Sequence, residues 1–336
     1  MIKQVFRNAL GVILAVISLY IFYYFDTVFP APKPYELNLF YKNICINRKD
    51  PSKLTKIEYL QEFITGPCSP LVVIPGIMAS RMIVEINCKE LEKHDPETFT
   101  SCYWNTCEKD FWPFYRKPNS EYHVWIPQLF GPIGFLVPNF ITDRCLSNLM
   151  RQDYDTTQSS SKNIIKQRMG LRVTWHGNTP QTKHTSRCSY ESLTDLTNFK
   201  GRFAKFSPYK NMLDSFEFMG YLPGLTVQAL PYDFRIDTMM NDEFSQRYKK
   251  SLKTLKKITG KKSIILAHSY GNIHNYYNLA AEYSLNDSEK NELVSLWLAL
   301  YPPFTGIIHG TSWTLSSDDR FTKGPVGLGY ESFVNF

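Results

Sequence analysis

Ser263-Ile-Ile-Leu-Ala-His-Ser-Tyr-Gly-Asn272, followed directly by Ile273-His-Asn-Tyr-Tyr-Asn-Leu279, is the stretch that decides the fold. Ile264, Ile265 and Leu266 form a short apolar run rich in β-branched side chains, which predicts a buried strand. The run stops at Ala267-His268-Ser269-Tyr270-Gly271, and a helical pattern starts at once. A strand that turns so sharply into a helix brings the positions two before and two after its apex side by side. Only small side chains fit there, and Ala267 and Gly271 supply them. Ser269 stands at the apex, with its hydroxyl lifted out of the sheet edge.

Strand, serine at a tight turn, then helix is the nucleophile elbow of the α/β-hydrolases. The pentapeptide alone is common by chance, and Ala267 replaces the usual glycine. The strand before it and the helix after it carry the reading. At the start of that helix the backbone N–H of Tyr270 is aimed toward a developing oxyanion. An earlier signal matches it. Leu71-Val-Val-Ile-Pro-Gly-Ile-Met-Ala-Ser80 predicts a buried strand broken into a turn at Pro75-Gly76. In this fold the second oxyanion donor comes from a turn after an early strand, and the backbone N–H of Ile77 is the candidate.

With 336 residues, 21% charged and 15% aromatic, the chain can bury a large core and is not a disordered one. Much of the net charge of +7 sits between Arg247 and Lys262, on Lys249, Lys250, Lys253, Lys256, Lys257 and Lys261. Phe244, Tyr248, Leu252 and Leu255 recur there at helical spacing, so the basic residues read as the wet face of an amphipathic helix. Attraction to anionic lipid headgroups is the other reading. Nothing resembles a nucleic-acid module. Lys3 and Arg7 precede an uncharged run from Ala9 to Phe25 that ends at Asp26. Pro32 after Val28-Phe-Pro-Ala31 opposes cleavage, so the run predicts an uncleaved transmembrane signal anchor with the remainder lumenal.

Seven cysteines in a lumenal chain suggest disulfides plus one thiol. Cys102 and Cys107 are close enough for a small loop, and Cys88 and Cys145 bracket an aromatic-rich insertion; buried free thiols are the alternative. No metal-ligand spacing occurs and no cofactor is expected. Asn286-Asp-Ser288 is a glycosylation acceptor pattern.

In chain order, residues 1–29 form the anchor, 30–67 a stalk and lead-in, and 68–336 the catalytic-type domain. Between about 86 and 146 periodicity is weak and aromatics such as Tyr103, Trp104, Trp112 and Trp125 abound. Such an insertion is either a lid or a small packed subdomain. Gly170-Leu-Arg-Val-Thr174 resumes the regular pattern, and Gly177 to Thr197 is polar and leans to disorder. A helix around Asn211 to Gly220, Pro231-Tyr-Asp-Phe-Arg-Ile236, the basic helix and the strand Leu293–Leu300 complete an alternating α/β pattern. It predicts a doubly wound, mostly parallel sheet. Asp233 and Arg235, beside Tyr232, read as a buried ion pair fixing the sheet next to the elbow.

This order of signals resembles the lecithin:cholesterol acyltransferase family, and within it the phospholipid:diacylglycerol acyltransferase-like members, which also begin with a membrane anchor. The matching pieces are Val-Ile-Pro-Gly at 73–76, the cysteine-bracketed insertion, Gly-Leu-Arg-Val at 170–173, and Gly220-Tyr221. Pro-Tyr-Asp-Phe-Arg at 231–235, His-Ser-Tyr-Gly at 268–271 and the exit Pro-Pro-Phe-Thr-Gly306 complete them. The resemblance implies an α/β-hydrolase core with a lid. In it Ser269 would take an acyl chain from a phospholipid donor and pass it to a lipid alcohol, diacylglycerol or sterol, at a membrane. The serine needs a histidine base and an orienting carboxylate, which in this fold follow it in the chain. His268 belongs to the elbow and should point away from Ser269; His274 reads as solvent or core, His309 as a strand-exit residue, and Asp318 and Asp319 as loop. The expectation is therefore a fold incomplete at its C-terminal end, its missing part lying in further sequence or in a second chain. A phospholipase A or lipase of the same fold, and a catalytically inactive membrane-anchored protein, are the alternatives.

Overall fold

The computed structural model describes residues 42–46, 53–77, 79–106, 121–123, 148–149, 151–154, 165–166, 168–175, 186–194, 209–236, 238, 241–280 and 284–306. Secondary structure begins with α1 (Lys56–Thr65), β1 (Leu71–Ile74), β2 (Met82–Ile86), α2 (Cys88–His94), α3 (Pro96–Thr106) and β3 (Glu121–His123). The short strands β4 (Asp153–Tyr154) and β5 (Ile165–Lys166) precede β6 (Leu171–Trp175), α4 (Ser186–Thr194), α5 (Lys210–Met219) and β7 (Val227–Ala229). The chain continues through α6 (Asp242–Thr259), β8 (Ser263–His268), α7 (Gly271–Ala280), α8 (Asp287–Leu293) and β9 (Val294–Leu300).

The main sheet has the order β7-β1-β8-β9 and all its pairs are parallel. Alternate side chains of β1 and β8 enter two cores, as the two-residue period of a strand requires. Leu71, Val73 and Leu266 pack with Phe63 of α1, Tyr190 and Leu193 of α4, and Leu213 of α5. Val72, Ile74, Ile265 and Ala267 pack on the other face with Phe244, Tyr248, Leu252 and Leu255 of α6 and Leu293 of α8. The central strands β1 and β8 are therefore covered by helices on both faces, which suits near-continuous apolar strands.

Several expectations are corrected by packing. The Gly170–Thr174 segment does not join the parallel sheet. As β6 it pairs antiparallel with β2 in a separate sheet of order β3-β2-β6. Glu85 and Arg172 face each other in that register and form an ion pair at 3.1 Å. The start of the insertion is helical, in α2 and α3, and Asp95 between them accepts from Arg168. Part of the polar Gly177–Thr197 stretch is also ordered: it forms α4, whose Tyr190 and Leu193, three apart, turn into the core.

Two basic residues are not on the wet face. The Arg247 guanidinium lies 4.2 Å from the Trp175 ring centre and donates to the Pro231 carbonyl at 2.6 Å. Lys261 Nζ donates to the carbonyls of Phe63, Gly66 and Cys68 at 3.1, 2.6 and 2.9 Å, closing the loop after α1. Lys249 and Lys253 both bind Glu289, and their hydrogen bonds hold its carboxyl at about 2.

A disulfide links Cys45 to Cys68, a pair with no marker in the sequence. Cys88 is disulfide-bonded as well. The Cys102, Cys107 and Cys145 side chains lie outside those described. So do residues 1–41, and among the described residues no helix is long and apolar enough to cross a membrane. Asn286, of the glycosylation pattern, is the exposed N-cap of α8 and accepts from the Glu289 N–H at 2.9 Å.

Candidate active site

β1 and β8 lie side by side in register, with Ile74 opposite Ala267. Whatever follows Ile74 must therefore run beside whatever follows Ala267. Pro75 and Gly76 leave β1 at its carboxyl end, next to His268 and Ser269. In open α/β sheets that end of the strands is where ligands bind.

The sheet strand ends at His268 and the helix starts at Gly271. Ser269 has φ of 51°, the left-handed region that a side chain with Cβ enters only at a cost of about 1 kcal/mol or more. Surroundings over-determine that conformation. The Ser269 N–H donates to the Leu300 carbonyl at 2.9 Å. Asn272, fully buried, donates from Nδ2 to the carbonyls of Ser269 and Leu300 at 3.1 and 3.0 Å. Its Oδ1 in turn accepts from Trp297 at 3.1 Å.

Steric room is minimal. A Cβ on Gly271 would stand 2.3 Å from the Pro75 carbonyl oxygen and 2.8 Å from that of Ile74. One on Gly76 would stand 3.0 Å from both Ser269 Cβ and His268 Nδ1. Ala267, across the turn, is fully buried.

His268 turns to Tyr209, whose hydroxyl lies 2.7 Å from its Nδ1. Burial lowers the pKa of His268 and raises that of Tyr209 to about 12, so both are neutral near pH 7. The sequence offered no route to Tyr209: it is one of 21 tyrosines and has no motif spacing to either Gly76 or His268.

Neither the Ile77 N–H nor the Tyr270 N–H has a hydrogen-bond acceptor among the described residues. Nor does any histidine or carboxylate among them bond to the Ser269 hydroxyl. His309, Asp318 and Asp319 lie outside the described residues.

His274 belongs to the core. It is fully buried against the rings of Tyr232, Phe244 and Tyr270, with centroids at 4.1, 4.8 and 5.4 Å. Burial, with the Arg247 charge second, drives its pKa down to about 3. Above the ordinary value of about 6.5 the imidazole is neutral in both folded and unfolded chains, and its full contribution is present. As pH falls through the window from 6.5 toward 3, only the unfolded chain takes up the proton, so stability drops by about 1.4 kcal/mol per unit. A loss of about 2 kcal/mol between pH 6.5 and 5 is expected, read by denaturant titration at each pH. His274→Phe should flatten that slope.

Asp233 and Arg235 form the expected buried pair, with side chains 7% exposed each and Nη2 2.6 Å from Oδ2. Arg235 also donates to the Val173 carbonyl at 3.1 Å, which ties the segment after β7 to β6. Asp233→Ala would leave the guanidinium buried without its carboxylate, and a loss of about 3–5 kcal/mol in unfolding free energy is expected. Retention of wild-type stability would show that the pair is dispensable.

A parallel sheet with a serine elbow at its carboxyl end, closed by small residues, is the arrangement of the α/β-hydrolases. Comparison with known proteins narrows this. The model of the lecithin:cholesterol acyltransferase family matches residues 172–321. A phosphatidylcholine-sterol acyltransferase from Oryctolagus cuniculus is 23% identical over 252 residues, covering 75% of this chain and 47% of the relative. The chain thus spans about half the length of that curated relative. Over those stretches the chain is similar to lecithin:cholesterol acyltransferases.

Proposed function

We propose that the protein is a lipid O-acyltransferase working through an acyl-enzyme on Ser269. The observation that carries this reading is the strained Ser269, held at φ 51° between β8 and α7 and packed against the Gly76 turn. The serine oxygen attacks the ester carbonyl of a phospholipid, with the N–H groups of Ile77 and Tyr270 facing the oxygen that gains charge. The carbon–oxygen bond to glycerol breaks, and the lysophospholipid leaves with the proton the serine gave up. The hydroxyl of a diacylglycerol or sterol then attacks the acyl-enzyme, the bond from the acyl carbon to the Ser269 oxygen breaks, and the acceptor's proton returns to that oxygen as the new ester leaves. Both proton transfers call for a histidine and an orienting carboxylate.

β9 ends the strand order, and its Leu296, Leu298 and Leu300, on one face, are exposed, so this side suits a further strand with a covering element. That strand, from the same chain or a second one, would carry the base. The resemblance to phospholipid:diacylglycerol acyltransferase-like members supports an N-terminal anchor in residues 1–29 and a lid in 86–146. The Cys45–Cys68 disulfide supports a lumenal setting in the secretory pathway.

The test is to supply the full-length protein with vesicles of acyl-labelled phosphatidylcholine containing diacylglycerol or sterol. Labelled triacylglycerol or sterol ester is the expected product. Labelled free fatty acid alone would assign a phospholipase, and no turnover with an unreactive Ser269 would assign an inactive protein.

A further inference from the structure

A single peptide plane at the end of β1 is held at both ends by tyrosine hydroxyls. The Pro75 carbonyl accepts from Tyr232 Oη at 3.1 Å, and the Gly76 N–H of the same peptide donates to Tyr209 Oη at 2.7 Å. The peptide is trans, so these two groups point in opposite directions and the two phenols stand on opposite sides of it. Neither phenol is local to the turn. Tyr209 stands just ahead of α5, and Tyr232 follows β7 in the Pro231–Arg235 motif; both are buried.

The orientation passes to the next peptide. The Gly76 carbonyl accepts from the Ala79 N–H at 3.2 Å, and the Ile77 N–H, trans to that carbonyl, points the other way. The tie also reaches the elbow. Tyr209 Oη must accept from Gly76, since an N–H can only donate, so its own proton goes to His268 Nδ1. One hydroxyl therefore joins the turn to the residue before Ser269.

We infer that Tyr209 and Tyr232 form a clamp that fixes the Pro75–Gly76 peptide and thereby keeps the Ile77 N–H turned toward the acyl carbonyl at Ser269. This rests on the acyl-enzyme reading above. Both tyrosines are positioning residues: they act through the turn and touch no reacting atom.

A fluorophosphonate tests the clamp, because its phosphoryl oxygen gains charge as Ser269 attacks, in the place of the ester's oxyanion. The second-order rate of Ser269 labelling in the full-length protein is the readout, with thermal midpoint measured alongside. Tyr209→Phe keeps the ring and removes the hydroxyl, and labelling should slow by about 10- to 100-fold with unchanged half-saturation by the probe. Tyr232→Phe should slow it in the same direction. The double variant should be no slower than a few-fold below the worse single, because both groups act on one peptide. A purely structural role would lower the thermal midpoint and leave the labelling rate of folded protein at the wild-type value, and that result in both single variants would overturn the clamp. Fully multiplicative slowing in the double variant would contradict action on one peptide. Wild-type protein that fails to label at Ser269 would overturn the acyl-enzyme reading and the clamp with it.

Discussion

Ser269→Ala should lower acyl transfer by about 10³-fold or more, the scale on which removing a serine nucleophile acts, and leave the fold unchanged. The two halves of that expectation have separate causes. Chemically, the proposed transfer runs through the Ser269 oxygen at the apex between β8 and α7, where the N–H groups of Ile77 and Tyr270 are the proposed oxyanion donors. Structurally, alanine keeps the Cβ and so keeps the same strain at φ 51°, while the hydroxyl that it loses has no partner among the described residues. Thermal unfolding should therefore shift by less than about 0.5 kcal/mol equivalent. Ser269→Gly is the instructive companion. Glycine enters the left-handed region freely, so this variant should be inactive and yet about 1 kcal/mol more stable than the serine protein. Activity near wild type in Ser269→Ala would remove the serine from the mechanism.

The largest stability effect is expected from Gly271→Ala. A single methyl there meets backbone rather than a movable side chain: the Pro75 oxygen at 2.3 Å and the Ile74 oxygen at 2.8 Å. The Ile74 oxygen belongs to the last residue of β1 and the Pro75 oxygen to the residue after it; β1 pairs with β7 on one side and β8 on the other, so they cannot retreat without disturbing the centre of the sheet. The expected cost is about 3 kcal/mol or more. Displacing the turn also moves the Ile77 N–H, so Ser269 labelling should fall together with stability. Gly260→Ala separates space from backbone strain. Its Cβ would meet nothing within 4 Å, but φ is 71°, so a cost of about 1 kcal/mol with no effect on labelling is expected. Equal effects of the two substitutions would show that the contact beneath the elbow is not tight.

What could be read from the sequence was local in origin. The β-branched runs at 71–74 and 263–268 and the four apolar residues from Phe244 to Leu255 each carry their period within a dozen residues. Elements β1, β8 and α6 lie where those periods place them. The features that escaped are set by partners far along the chain. Antiparallel pairing of β2 with β6 joins segments about 90 residues apart, and nothing in Leu171–Trp175 itself marks it. The Cys45–Cys68 bond spans 23 residues, whereas spacing alone suggested Cys102 with Cys107. Arg247 and Lys261 look like their solvated neighbours until Trp175 and the carbonyls after α1 are brought to them. Tyr209 gains its meaning only when Gly76 and His268 converge on its hydroxyl. In the site, the residues adjacent in sequence were visible and those supplied by the fold were not.

Mass spectrometry of the intact reaction intermediate shows whether Ser269 carries the acyl chain. Full-length protein is mixed briefly with phosphatidylcholine vesicles, quenched in acid and digested with trypsin, which releases Ser263–Lys290 as one peptide. The expected result is that this peptide gains the mass of one fatty acyl chain, with fragmentation placing it on Ser269, and that added diacylglycerol or sterol discharges it. An unmodified peptide under conditions where the protein transfers acyl chains, or an acyl group that persists in Ser269→Ala, would contradict it.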